Sequence, residues 1–276
     1  MGSLKGKVAL VSGAARGQGR AHAVRLAQEG ADIIAFDRCA PLATIPYDLA
    51  SEADLEATAK AVEALGRGIV TRILDVRDTA GLEGLVADGV QALGRLDIVV
   101  ANAGILAPSA FLDTTDEIWD EIIGVNLTGV FRTVRAGLPA ILDGGRGGSI
   151  VLTSSTAGVK GMANVAPYAA SKHAVIGLTK VLANEFGPRW IRANAVLPTS
   201  VGTDMILNRT TFSLMSGGRP DATQDDSIAG FQSRNVLPVP WIDADDVSNA
   251  VAWLCSDQAR YVTGATLAVD AGATQK

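Results

Sequence analysis

The chain has 276 residues, 48% of them apolar and 19% charged, with a formal net charge of −5. Composition excludes a disordered chain, and the length permits one sizeable hydrophobic core. The acidic balance excludes a general nucleic-acid binder, which needs a basic field, and no apolar run approaches the roughly 18 residues of a membrane span. The N-terminus "MGSLKGKVALVSG" runs directly into a strand-like segment, without the long apolar region of a signal peptide. Two cysteines, Cys39 and Cys255, are too few for a disulfide framework and suit the cytoplasm.

In chain order, a strand-like run at 7–13 leads into a helical pattern at 17–29. Between them lies "SGAARGQGR", with Gly13, Arg16, Gly17, Gln18 and Gly19. After a strand and before a helix, glycines let the backbone approach a diphosphate, and the free N–H groups at the helix start favour anionic oxygen. A merely tight turn is the plainer alternative. The second strand-like run, 31–37, ends in Asp37, whose carboxylate can accept hydrogen bonds from both ribose hydroxyls of an adenosine. It would repel a 2′-phosphate and so favours NAD over NADP, whereas the neighbouring Arg16 and Arg38 lean the other way.

Residues 38–52 form a loop with two prolines, and Ser51 with Asp54 then starts a helix at 53–65 like a capping box. The third run, 69–76, ends in Asp75 and Val76, where an adenine edge would lie. A helix at 79–93 follows, and the fourth run, 96–104, ends in Asn102, Ala103 and Gly104, small enough to leave room for a cofactor.

A long helical pattern covers 114–142 and contains Asn126, although an amide is a poor helix former. The plain reading is a buried polar group bonded to a backbone carbonyl. The fifth run, 148–155, ends at Ser155. The next helix, 166–186, begins "APYAASKHAV", where Tyr168 and Lys172 stand four residues apart and share a face. A phenol ionises near pH 10; a neighbouring ammonium and a positively charged nicotinamide would favour the phenolate. Lowering the phenol by about three units takes roughly 4 kcal/mol. Alone, the pair would read as surface residues, but Ser155 lies close by in sequence with a hydroxyl able to hold a substrate oxygen.

A sixth run at 191–198 precedes a long loop at 199–242, then a helix at 243–256 and a seventh run at 265–272. The loop reads as a lid whose apolar members are Met205, Ile206, Leu207, Phe212, Leu214, Met215, Phe231 and Trp241. His22 and His173 are far apart, without an Asp or Cys cluster, so no metal site is expected. Most strand-like runs are continuously apolar, as strands buried on both faces are. Alternation with helices predicts an α/β fold: a Rossmann-type, doubly wound, seven-stranded parallel sheet with helices on both faces. Residues 1–276 read as one domain, with a loop insertion at 38–52 and a substrate lid at 199–242.

Taken together, "SGAARGQG", "NAG", Asn126, Ser155 and "YAASK" resemble the short-chain dehydrogenase/reductase family over essentially the whole chain. The resemblance implies a Ser-Tyr-Lys group. Tyr168 would be the general acid/base, Ser155 would polarise the substrate oxygen, and Lys172 would bind the nicotinamide ribose and acidify the phenol. Asn126 would hold a water linking Lys172 to solvent. Pro198, Val201 and Thr203 match the segment that contacts the nicotinamide carboxamide, while Thr199 stands where the family commonly has glycine. "PTSV", the loop after Asp37 and "LDVRD" at 74–78 resemble a carveol dehydrogenase-like, mycofactocin-coupled subgroup.

That subgroup implies tightly bound NAD reoxidised by a peptide-derived redox carrier, and the family implies a homotetramer built through the helices at 114–142 and 166–186. The expectation is an NAD-dependent oxidoreductase interconverting a secondary, cyclic or terpenoid alcohol and its ketone. Two alternatives stand beside it. A 3-oxoacyl-thioester reductase would use the same four residues but would prefer NADP and a basic docking surface. A non-catalytic, dinucleotide-sensing regulator would have no need of Ser155, Tyr168 and Lys172 together.

Overall fold

The computed structural model describes residues 2–276. Seven strands alternate with helices: β1 (Val8–Ser12), α1 (Gly17–Gln28), β2 (Asp32–Asp37), α2 (Glu52–Glu63), β3 (Ile69–Ile73), α3 (Thr79–Leu93), β4 (Ile98–Ala101) and α4 (Asp116–Ile123). A π-helical turn (Gly124–Gly129) joins α4 to α5 (Val130–Gly144). Then come β5 (Gly148–Thr153), α6 (Ala166–Phe186), β6 (Ile191–Pro198), α7 (Arg209–Met215), α8 (Gln224–Gln232), α9 (Ala244–Cys255) and β7 (Thr266–Val269). The strands form one parallel sheet in the order β3-β2-β1-β4-β5-β6-β7.

The apolar strands divide their side chains between two cores because successive residues point to opposite faces. Val8 and Leu10 join one core, with Leu82 of α3, Ile122 of α4, Val134 of α5 and Val175 of α6. Ala9 and Val11 join the other, with Leu26 of α1, Val62 of α2 and Val251 of α9. The chain reverses its direction of travel across the sheet between β1 and β4. Such a switch leaves a crevice beyond the carboxyl ends of the strands.

Two expectations need correction. The pattern at 114–142 is not one α-helix: the backbone widens into the π turn at Gly124–Gly129, which contains Asn126. The stretch 199–242 is not a plain loop, because it folds into α7 and α8. Asn208 caps α7 by accepting from Thr211 N at 3.0 Å, and Thr223 with Asp226 makes a capping box on α8.

Candidate active site

Two connected compartments occupy the crevice. The first is lined by Gly13, Arg16, Gly17, Gln18, Gly19, Asp37, Arg38, Asp75, Val76, Asn102, Ala103, Gly104 and Thr203. The second has a volume of about 530 Å³ and is lined by Ser155, Tyr168, Lys172, Pro198, Val201 and Thr203. Gln18, Asn102, Gly104, Thr203 and Met205 border both, so the compartments meet there. Pro198 and Val201, grouped with the cofactor residues by sequence, lie on the second compartment's wall.

The first compartment is shaped by the β1–α1 turn. Gly13 has φ +66°, a left-handed conformation open to glycine. A Cβ on Gly19 would stand 1.9 Å from the Gly13 carbonyl oxygen, so only glycine lets α1 start this close to the turn. Arg16 precedes α1 without a side-chain cap, leaving backbone N–H groups of the first turn for an anion. Gln18 Oε1 is buried without a hydrogen-bond partner, so an acceptor waits at the junction of the compartments. These features fit a dinucleotide.

Asp37 accepts from Ala15 N at 3.1 Å and from Cys39 N at 3.3 Å, while burial pushes its pKa upward. Burial also pushes Asp75 upward, but hydrogen bonds from Arg77 and Arg38 outweigh it and hold the carboxyl at about 2. Arg38 Nη1 lies 2.5 Å from Asp75, and Arg16 Nη1 lies 2.9 Å from Asp204. Both arginines that would favour a 2′-phosphate are therefore engaged by carboxylates. The insertion folds over this end: Leu42, Tyr47 and Leu49 line it, and Leu106 N donates to Tyr47 Oη at 3.1 Å.

In the second compartment, Ser155 follows β5 and accepts from Ala157 N at 3.1 Å. Ser154 Oγ donates to the Lys172 carbonyl at 2.8 Å, docking α6 against the end of β5. Lys172 is buried; its Nζ donates to the Thr153 carbonyl at 2.8 Å and lies 5.6 Å from the Tyr168 ring centre. Burial lowers the Lys172 pKa to about 8. In the chain by itself, burial raises the Tyr168 pKa, and a hydrogen bond with the Ser155 side chain opposes that rise.

Asn126 lines neither compartment. It is fully buried, accepts from Ile105 N at 2.8 Å and donates to the Ile105 carbonyl at 2.9 Å. A Cβ on Gly104 would lie 3.4 Å from Lys172 Nζ and 3.5 Å from Asn126 Oδ1, so the two side chains meet behind that glycine. Of the eight apolar residues assigned to 199–242, Met205, Ile206, Leu214, Met215 and Phe231 line the second compartment, whereas Leu207, Phe212 and Trp241 do not. Trp241 packs edge-on against Phe231 at 5.6 Å instead. Sequence reasoning missed Tyr47, Met162, Asn164, Lys160, Arg234 and Lys276 as lining residues. Only Tyr47 carried a signal, as the aromatic of the 38–52 loop. Among the described residues, no three His, Cys, Asp or Glu side chains gather as metal ligands. His22 Nδ1 pairs with Ser248 Oγ at 2.7 Å, and His173 Nδ1 with the Ala169 carbonyl at 2.9 Å.

A parallel sheet with a glycine turn at its switch point, opening onto a Ser-Tyr-Lys wall, defines the short-chain dehydrogenase/reductase class. The family model described as enoyl-(acyl carrier protein) reductase, adh_short_C2, matches residues 13–274, and the chain belongs to the short-chain dehydrogenase/reductase family. It is 48% identical over 277 residues to (−)-trans-carveol dehydrogenase of Rhodococcus erythropolis, covering 100% of both chains. It superposes on the crystal structure of carveol dehydrogenase from Mycobacterium avium in complex with NAD with a TM-score of 0.98, at 53% identity over 100% of both chains. A short-chain dehydrogenase from Mycobacterium paratuberculosis bound to NAD gives a TM-score of 0.92 at 46% identity, again over 100% of both chains.

Proposed function

We propose that this oxidoreductase interconverts a secondary, cyclic or terpenoid, carveol-like alcohol and its ketone. The cofactor is NAD. When bound, it supplies the two-electron carrier, taking a hydride from the carbinol carbon at nicotinamide C4 or returning it. Tyr168 takes the hydroxyl proton as that hydride leaves and gives it back in reduction. Ser155 holds the substrate oxygen beside the phenol. Lys172 is anchored at the Thr153 carbonyl by one N–H, leaving donors for the nicotinamide ribose. Asn126 fixes the π turn against Ile105, and its role is to hold, from behind Gly104, a water that would link Lys172 to solvent.

The observation that carries this reading is the continuity of the two compartments: the Ser155–Tyr168–Lys172 wall opens directly onto the glycine turn through Gln18, Asn102 and Gly104. The engaged arginines support NAD over NADP, and with it the alcohol dehydrogenase over the thioester reductase. The loop over the adenosine end, tied by Tyr47 to the backbone after β4, supports tight retention of NAD and reoxidation by a peptide-derived carrier. The chain is proposed to act in the cytoplasm as a homotetramer, with 199–242 as its lid.

Tyr168→Phe tests the assignment. Turnover of cyclic alcohols, followed with free NAD and with a dye acceptor, should fall about 10²- to 10⁴-fold, while mass spectrometry still finds NAD on the folded protein. Turnover close to that of the wild type would overturn it.

A further inference from the structure

The chain as a whole is acidic, with 29 Asp and Glu against 24 Lys and Arg. The wall of the second compartment departs from that balance: no Asp or Glu lines it, while Lys160, Lys172, Arg234 and Lys276 all do. Lys172 belongs to the reacting end. Of the other three, Lys160 and Lys276 are joined by a hydrogen bond, and Arg234 shares the wall with them. Lys160 Nζ donates to the Ala273 carbonyl at 3.0 Å and also to the backbone oxygen of Lys276, the last residue of the sequence, whose carboxylate sets one negative charge beside Lys160. Lys276 Nζ donates to the Ser233 carbonyl at 3.1 Å, and Arg234 follows Ser233 directly. The Ala273 and Ser233 carbonyls are neutral, and among the described residues no Asp or Glu side chain pairs with Arg234 or Lys276. Desolvation is the only influence on the Arg234 guanidinium, lowering its pKa with no carboxylate to offset it.

Arg234 and Lys276 are solvent-exposed at the rim of the compartment, where a guanidinium offers an entering carboxylate two parallel N–H donors. The 199–242 side of the wall carries an apolar group, Met205, Ile206, Leu214, Met215 and Phe231. A fully anionic ligand would waste that surface, and a fully apolar one would leave the cations unpaired. We infer that the substrate is an amphipathic acid: a cyclic or terpenoid secondary alcohol, or its ketone, bearing a carboxylate that the Lys160–Arg234–Lys276 cluster receives. This rests on the alcohol dehydrogenase reading and sharpens its substrate class. The carboxylate is a recognition group and takes no part in the bond changes at the carbinol carbon.

The test compares 4-oxocyclohexanecarboxylate with its neutral isostere 4-oxocyclohexanecarboxamide on the NAD-loaded protein. Calorimetry reads binding, and the matching hydroxy acid and hydroxy amide read turnover with a dye acceptor. The acid should bind at least about tenfold tighter than the amide. Arg234→Leu should bring that ratio to within about twofold, and Arg234→Lys should restore part of it. Equal binding of acid and amide, or a ratio unmoved by Arg234→Leu, would overturn the inference. Preferential binding and reduction of a 3-oxoacyl coenzyme A thioester would overturn it in favour of thioester reduction. Tight, Arg234-dependent binding of the acid without turnover would uphold the charge recognition and sink the alcohol dehydrogenase reading.

Discussion

The two compartments of the crevice are built in opposite ways. The cofactor compartment takes its walls from residues next to strand ends: Gly13 and Gly19 after β1, Asp37 ending β2, Asp75 after β3, Asn102 to Gly104 after β4. Backbone contacts fix its shape, with almost no tolerance at the turn. The substrate compartment gathers side chains from the loop after β5, from α6, from α7 and α8, and from Ala273 and Lys276 near the C-terminus. The contrast teaches that the cofactor compartment is carried on rigid strand ends, while the outer wall of the second compartment is delegated to a longer, more replaceable segment.

Substitutions in the cofactor half should therefore cost most. Gly19→Ala should have the largest effect, since its Cβ would stand 1.9 Å from a backbone oxygen: a loss of about 3 kcal/mol in urea unfolding and no NAD retained. Acid is the second way to break this half. His22 of α1 is fully buried, and burial depresses its pKa from 6.5 to about 3. The native state then binds fewer protons than the unfolded chain, so its stability is full above pH 6.5 and falls as the pH drops toward 3. Urea unfolding should lose roughly 1.4 kcal/mol per pH unit from this residue in that window, and His22→Leu should flatten the slope.

Asn126→Ala should cost about 2 kcal/mol by leaving both backbone groups of Ile105 unpaired, and should lower turnover with it. Asp37→Asn should weaken NAD binding about tenfold and narrow the preference over NADP, read by calorimetry on protein stripped of cofactor. The smallest change is expected in the other half. Thr223→Ala removes the cap of α8 and should cost about 1 kcal/mol, shifting KM for the alcohol with little loss of NAD. A reversed ranking, with the Thr223 variant more damaged than the Gly19 variant, would dissolve the contrast.

The same division governs what the sequence disclosed. The central strands were readable because both faces are buried, and continuous runs of Val, Ile and Ala follow from that, whereas the edge strands β3 and β7 stay partly exposed and were readable from their β-branched runs. The glycine turn, Asp37 and the Tyr168–Lys172 spacing were readable because each depends on neighbours a few residues away. Helices α7 and α8 were hidden: they are short, and the Thr223–Asp226 capping box was their main local signal. Asn126 was visible as a misplaced amide, yet its bond to Ile105 and the π turn depend on a partner from another element. The phenol's raised pKa was out of reach because burial is a property of packing. The cations of the second compartment were hidden for a related reason, since Lys160, Arg234 and Lys276 come to one wall only in the folded chain.

The central claim is that Tyr168 exchanges a proton with an alcohol seated beside the cofactor. The direct measurement is a crystal structure of the NAD-loaded protein with a bound cyclic alcohol. The account predicts the alcohol oxygen within about 2.6–3.2 Å of both Tyr168 Oη and Ser155 Oγ, its carbinol carbon facing the nicotinamide ring. An alcohol bound elsewhere in the compartment, with Tyr168 out of hydrogen-bond reach, would contradict it.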